Sequence, residues 1–421
     1  MVATRTKVGM SNLVGRTTGE RIKHFRTRAG MSRPVLGGLV GRSAEWVKAV
    51  ETGRLQVPRL QVPRLPMLLR IARALDVPDL AELTGDGHAV PVHAFTGQAH
   101  TALTAVQEAL TGYRLVTPEA PVSVAHLRVR LDQAWQVRHS NPDHRSAVGA
   151  VLPGLIRDAQ AAVRATQGPA RRAARRVLAG VYRLVSFYLA YQPAPELVWL
   201  VADRALAEAQ EADDPYALAG GAWTLTQALR DSGRWEEAVT TAVEGARQLE
   251  PWLTRVDDDD WRGVWGALQF EAGYTHARRG RHGAAWAYWD RANEMAVRLG
   301  PRYRHVQTSF STTLMTAHAV TLNVELRRAG DAVRTANSFD AGRIPSLPRR
   351  SRHLIEVARA HHQRDDGAGT YALLDTAERT APETLRFNGY ARDMLISLAA
   401  TPPSGLRAQV RALCTRGGVH L

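Results

Sequence analysis

Residues 30–53 read GMSRPVLGGLVGRSAEWVKAVETG, and this stretch decides how the chain starts to fold. Ser32 offers its hydroxyl to an amide one turn into a helix, and Pro34 is tolerated near a helix start, where an amide has no partner in any case. Gly41 stops that helix. Ser43 caps a second, on which Val47 and Val50 fall three apart on one face while Glu45, Trp46, Lys48 and Ala49 point elsewhere. Helix, tight glycine turn and second helix spell a helix-turn-helix.

The flanks complete a small domain. Residues 1–17 are polar, basic and without period, and are expected to form a flexible arm carrying Arg5 and Lys7. Residues 19–29, GERIKHFRTRA, put Ile22 and Phe25 on one face and arginines on the other. Downstream, residues 55–66 read LQVPRLQVPRLP, a tandem duplication of QVPRL that prolines keep non-helical. The segment MLLRIARALDV supplies Leu68, Ile71, Ala72 and Leu75 at helical spacing, and Asp79 caps a short last helix ending near Leu83 and Gly85. Five helices in so short a stretch predict a compact bundle over residues 18–84.

In Gly19-Glu20-Arg21-Ile22, Arg26, Gly30-Met31-Ser32, Gly41, Ser43, Val47, Val50-Glu51, Gly53-Arg54 and the run LRIARAL at residues 69–75, the sequence resembles the phage-repressor-like (Cro-like, xenobiotic-response-element type) helix-turn-helix regulators. The resemblance covers residues 19–84 and implies a domain that binds double-stranded DNA. It further implies that Arg26 and Glu51 form a buried ion pair bridging the first and third helices. Two departures stand out: Arg33-Pro34 follows the capping Ser32 where the family has Gln, and the duplicated QVPRL lengthens the loop after the recognition helix.

On such a domain Ala44, Glu45, Lys48 and Ala49 are best aimed at base edges, with Ser43 beside them at the helix start. Alanine suits a thymine methyl, glutamate a cytosine amino group, and lysine a guanine or a phosphate. Trp46 has two readings, packing on sugar and base edges or folding back on the bundle. Arg33, Arg42, Arg54 and Arg59 read as phosphate clamps that fix register without reading sequence.

Charge agrees with that reading. The 421 residues carry 55 Lys and Arg against 40 Asp and Glu, a formal net charge of +15. Residues 1–75 alone hold fifteen basic and three acidic side chains. Basic charge concentrated beside a helix-turn-helix implies a polyanionic partner with salt-dependent affinity. One cysteine, Cys414, excludes an internal disulfide and a cysteine-rich zinc site. No run of eighteen apolar residues and no apolar leader occur, so a cytoplasmic protein without membrane association is expected.

Residues 85–97, GDGHAVPVHAFTG, read as a linker, and residues 98–421 as helix after helix with apolar spacings of three and four. Three segments, at residues 222–251, 265–301 and 354–382, share a scheme of helix, polar Gly or Asp turn, Ala-rich helix and Pro. That scheme resembles a degenerate tetratricopeptide repeat and predicts an α-solenoid. The fold expected is therefore all-α, a five-helix helix-turn-helix bundle followed by a tetratricopeptide-like array. Eight of ten tryptophans lie between Trp199 and Trp289. On a concave surface built by the first helices of the repeats, Trp265, Gln269, Tyr274, His318, Asn323 and Asn388 are the groove candidates. Asp257 to Asp260 read as a solvated loop.

Motifs for phosphate loops, zinc proteases, dinucleotide binding and serine hydrolysis are missing, and neither a catalytic constellation nor a metal or cofactor site is expected. The combination resembles the peptide-responsive quorum-sensing regulators. It implies a homodimer on a near-palindromic operator, with a signalling peptide, small molecule or partner protein in the groove. The alternative is an interaction scaffold or antitoxin-like module that the helix-turn-helix merely localises on DNA.

Overall fold

The computed structural model describes residues 15–54, 65–75, 77, 79–85, 99–112 and 122–419. Most of the basic arm, the duplicated QVPRL with Arg59, and residues 86–97 of the expected linker lie outside the described residues. Tertiary contacts divide the chain into two units, residues 1–98 and 99–421. The described residues of both fold as helices.

The first unit holds α1 (Thr18–Arg28), α2 (Arg33–Val40), α3 (Ala44–Glu51), α4 (Leu65–Ala74) and α5 (Leu80–Thr84). A capping box starts α1: the Thr17 amide donates to Glu20 at 2.8 Å and the Glu20 amide to the Thr17 hydroxyl at 3.3 Å. Ile22, Phe25, Leu36, Val40, Val47, Val50, Leu68, Ile71, Leu80 and Leu83 form one core. Each such burial contributes about 1.5–3 kcal/mol. Spacings of three and four on every helix of the bundle turn these residues inward.

The second unit begins with α6 (Leu103–Thr111), α7 (Val124–Ser140), α8 (His144–Ala165), α9 (Gly168–Leu189), α10 (Pro195–Glu211) and α11 (Pro215–Asp231). It continues with α12 (Trp235–Leu249), α13 (Asp259–Arg278), α14 (His282–Leu299), α15 (Thr312–Glu325) and α16 (Ala329–Asn337). It ends with α17 (Leu347–His362), α18 (Gly367–Thr380), α19 (Pro382–Arg386), α20 (Gly389–Ala400) and α21 (Arg407–Arg416). Consecutive helices pair as hairpins. The polar turns of the three repeats place Gly233, Gly280 and Asp365 in the left-handed region, at φ 80°, 72° and 57°.

The hairpins stack so that α7, α9, α11, α13, α15 and α17 form an inner row, each touching the next. The row closes, because α17 also touches α7. The array is thus a solenoid whose ends meet. Of Asp257 to Asp260, expected as a solvated loop, Asp257 and Asp258 are exposed and non-helical, whereas Asp259 and the half-buried Asp260 open α13. Asp258 caps α13 by accepting from the Asp260 amide at 2.9 Å, and Asp260 also accepts from the Tyr303 hydroxyl at 2.9 Å. Acidic side chains there meet the positive end of the helix dipole.

Polar contacts across great sequence separations hold the closure. Glu383, on α19, accepts from the Arg145 amide at 2.5 Å, from the Ser146 amide at 3.1 Å and from the Ser146 hydroxyl at 2.5 Å. A carboxylate from the far end of the chain therefore serves the free amides at the start of α8, which lacks a side-chain cap of its own. His139 bonds the Val306 carbonyl through Nε2 at 2.7 Å and the Ser346 hydroxyl through Nδ1 at 2.8 Å. Its Nε2 thus carries the proton, and Nδ1 accepts. Arg145 donates to the Tyr188 carbonyl at 2.5 Å and the Ala190 carbonyl at 2.8 Å, where α9 ends.

Glu383→Ala strips these donors of their acceptor inside a buried contact and is expected to destabilise the second unit by about 2–4 kcal/mol. Urea unfolding followed by tryptophan fluorescence reads this directly, since nine of the ten tryptophans belong to that unit. An unchanged midpoint would contradict the closure described.

Candidate nucleic-acid interface and ligand cavity

The turn between α2 and α3 is built by two glycines and two serines. Ser32 accepts from the Val35 amide at 3.4 Å and Ser43 from the Trp46 amide at 3.1 Å, one at the start of each helix. Gly41 sits at φ 69° between them, a conformation an L side chain resists. A Cβ on Gly37 would lie 2.6 Å from the Arg42 carbonyl oxygen, so the helix and the turn can approach only with glycine there.

Val47, Val50 and Glu51 turn α3 inward, while Glu45 and Lys48 are exposed and Ala44, Trp46 and Ala49 half-buried. The outward row of α3 therefore carries two short and two charged side chains. Glu45 and Lys48 face each other at 3.8 Å, an exposed pair worth little and free to exchange partners. The Trp46 indole packs against the bundle core and carries the Arg42 guanidinium 5.7 Å from its ring centroid.

Glu51 locks this surface from behind. Arg26 donates to it at 2.5 Å and 3.3 Å, and Arg33 at 2.8 Å. Burial alone would raise the Glu51 pKa, but the hydrogen bonds from Arg26 and Arg33 outweigh it and hold the carboxyl below its usual range. Arg26 also donates to the Met31 carbonyl at 2.6 Å, tying the end of α1 to the start of α2. Arg33, expected as a phosphate clamp, thus has its Nε committed to Glu51. Arg42 and Arg54 are exposed, and Ser43 spends its side chain on the cap.

In the second unit the inner helices surround a cavity of about 630 Å³, the size of a small-molecule or short-peptide site. Phe187, Trp199, Trp223, Phe270 and Phe310 supply apolar wall, and much of the rest is charged. Arg230 pairs with Glu271, and behind the wall Arg359 donates to the lining Glu356 at 2.5 Å and to Glu325 at 2.9 Å. Arg352 reaches Glu356 at 2.7 Å. His318 stacks on Phe270 with centroids 3.6 Å apart, and burial together with Arg349 keeps the imidazole neutral.

Tyr274, His318 and Asn388 line the cavity; Trp265, Gln269 and Asn323 do not. Helix geometry accounts for the split. On α13 the lining residues are Ala267, Phe270, Glu271, Tyr274 and Arg278, one stripe at spacings of three and four, and Trp265 and Gln269 fall on the other side. On α15 the stripe is Leu314, Ala317, His318 and Thr321, and Asn323 again lies off it. Trp265 packs instead in the aromatic cluster of α13 and α14.

The arginines were the residues that sequence reasoning missed. Arg138 follows Leu131, Ala134 and Trp135 at intervals that put all four on one face, and Arg145 precedes Val148 and Leu152 in the same way. An arginine in register with an apolar stripe is the signal that it enters the interior.

Residues 18–83 match the family model described as a helix-turn-helix domain, and this part of the chain is one. Among solved structures the chain is similar to Bacillus thuringiensis PlcR in its complex with the peptide PapR7 and DNA, at 12% identity and a TM-score of 0.31 over 85% of this chain and 99% of that one. No curated protein matches the chain. Among the described residues no helix is long and apolar enough to cross a membrane.

The buried histidines make the second unit sensitive to acid. Burial, reinforced by Arg138, holds His139 and His144 down to about 2. Burial likewise holds His305 to about 3 and His353 to about 4, and lowers His100. In the unfolded chain each titrates near 6.5, so below that pH the unfolded state takes up protons that the folded state refuses. Stability is then complete above about pH 6.5 and falls progressively toward pH 4. Thermal melts at pH 7, 6 and 5 should show a descending midpoint, and a flat series would contradict the neutral assignments.

Proposed function

We propose that this protein is a sequence-specific transcription regulator, binding double-stranded operator DNA through residues 18–84 and sensing a ligand in the cavity of residues 98–421. The observation that carries the DNA half is α3 itself. It is capped at its start, pinned by Val47, Val50 and Glu51, and open along Ala44, Glu45, Lys48 and Ala49. Short alanines let the helix sit deep in the major groove, where Glu45 and Lys48 meet base edges. Arg42 and Arg54 contact the flanking phosphates, joined by Arg59 and the basic arm, and supply most of the affinity. Arg33 acts chiefly through Glu51.

The protein works as a homodimer in the cytoplasm. Two copies of α3 then enter successive major grooves about one turn, roughly 34 Å, apart on a near-palindromic site. The cavity takes a small molecule or short peptide, and its occupancy changes operator affinity because the ligand favours one arrangement of the array over another. The role is regulatory rather than catalytic.

Two substitutions separate reading from clamping. Glu45→Ala is expected to change the preferred base at the position it meets, by about 1–3 kcal/mol of discrimination. Arg42→Ala is expected to weaken every site about equally and to lower the slope of log affinity against log salt by about one. Binding to arrays of duplex sequences at several salt concentrations measures both. Equal affinity for all sequences at every salt concentration would contradict the proposal.

A further inference from the structure

The arginines that line the cavity differ in what they are paired with. Three have acids: Arg230 with Glu271, Arg278 with Asp231 at 3.1 Å, and Arg352 with Glu356 at 2.7 Å. Arg138, Arg145 and Arg349 have no such ion pair: Glu383 acts on Arg145 and Glu271 on Arg349 only from a distance, and no acid acts on Arg138. Arg138, on α7, is only 8% exposed, and its Nη1 is buried without a hydrogen-bond partner. Arg349, on α17, gives one Nη2 bond to the Thr308 carbonyl at 3.1 Å, and its Nε is buried without a partner. Arg145 has spent both terminal nitrogens on the carbonyls that end α9, and its Nε is buried without a partner.

The charges around Arg138 make matters worse. Burial is the largest influence on it, and the neighbours that add to this are the cations Arg349 and Arg145. His139 and His144 nearby are neutral. What the guanidinium does have is a ring: Arg138 lies 4.4 Å and Arg349 5.5 Å from the centroid of the same Phe187. A ring face offsets part of the lost hydration, but it leaves the N–H donors unmet. A buried guanidinium with unmet donors and no ion pair is strongly unfavourable unless something else completes it.

We propose that Arg138 and Arg349 form a carboxylate-binding subsite beside Phe187, holding the acid group of a ligand whose apolar body lies against Phe187, Trp199 and Trp223. The assignment rests on the reading of this cavity as the ligand site and adds the chemistry of what fills it. Two free donors, Arg138 Nη1 and Arg349 Nε, match the two oxygens of a carboxylate, whereas a phosphate would leave oxygens unmet. The remainder of the ligand meets the aromatic wall. Organic acids and the carboxyl terminus of a short peptide share this chemistry.

The test uses the full-length chain with four probes: 4-phenylbutyrate, N-acetyl-leucyl-phenylalanine, and the neutral amide of each. Tryptophan fluorescence and thermal melting report binding, since Trp199 and Trp223 line the cavity. At least one acid should bind at least about tenfold more tightly than its amide. Whichever acid does so identifies the source as a small organic acid or a peptide terminus. Arg138→Met should abolish the preference for acid over amide and, by removing the unpaired charge, raise the melting temperature of the ligand-free protein. Arg349→Met provides the same comparison should the first variant fail to fold. Acid and amide binding equally would overturn the carboxylate assignment while leaving the cavity a ligand site, and failure of all four probes to bind would count against both. Inorganic phosphate reproducing the effect of the acids, or Arg138→Met lowering the ligand-free melting temperature with the acid preference intact, would also overturn it.

Discussion

The carboxylate of Glu383 on the first amides of α8 is the contact on which the rest of the second unit depends. It joins residues more than two hundred positions apart and, with the bonds of His139 to Val306 and Ser346, ties the last hairpins to the first where α17 meets α7. A solenoid normally leaves its concave face open to solvent. Here closure buries that face, and burial accounts for the neutral histidines and the stranded arginines. His139 and His144 lie at the seam, and desolvation there drives their pKa values down. The cavity is a consequence of how the array ends, as much as of how its repeats begin.

The two units use arginine in opposite ways. In the first, one buried carboxylate, Glu51, is shared by Arg26 and Arg33, and the arrangement makes a rigid base for α3. Charge that is satisfied inside leaves the exposed arginines free to meet phosphates. In the second unit Arg138 is buried beside two further guanidinium groups, Arg145 and Arg349, with no acid acting on it. An interior that withholds a counter-charge is poised for a ligand that brings one, because the ligand's charge is then worth more than it would be in water.

Local pattern made the first unit legible. Ser32, Gly41 and Ser43 each act through the residues nearest to them, so spacing alone located α2 and α3. The box formed by Thr17 and Glu20 was equally readable in TTGE, and it sets the start of α1 one residue before the apolar pattern suggests. Arg33 was harder, since its partner is eighteen residues away and meets it only after folding. In the array, repeat spacing marked the hairpins and the stripes on α13 and α15 sorted lining residues from packing residues. Trp265, Gln269 and Asn323 lie on the inner helices α13 and α15, as a groove built by first helices requires, but helix phase turns them away from the cavity. The seam at Glu383 left no local trace, because a capping carboxylate supplied from another part of the chain has no periodicity. The arginines did leave one, in their register with Leu131, Trp135 and Leu152.

The central claim is that a capped and pinned α3 reads sequence in double-stranded DNA. Selection of binding sites by the full-length protein from a pool of random duplexes tests it most directly. The account predicts enrichment of a near-palindromic site whose half-sites lie about one helical turn apart. Recovery of the starting pool without any enriched sequence would contradict it.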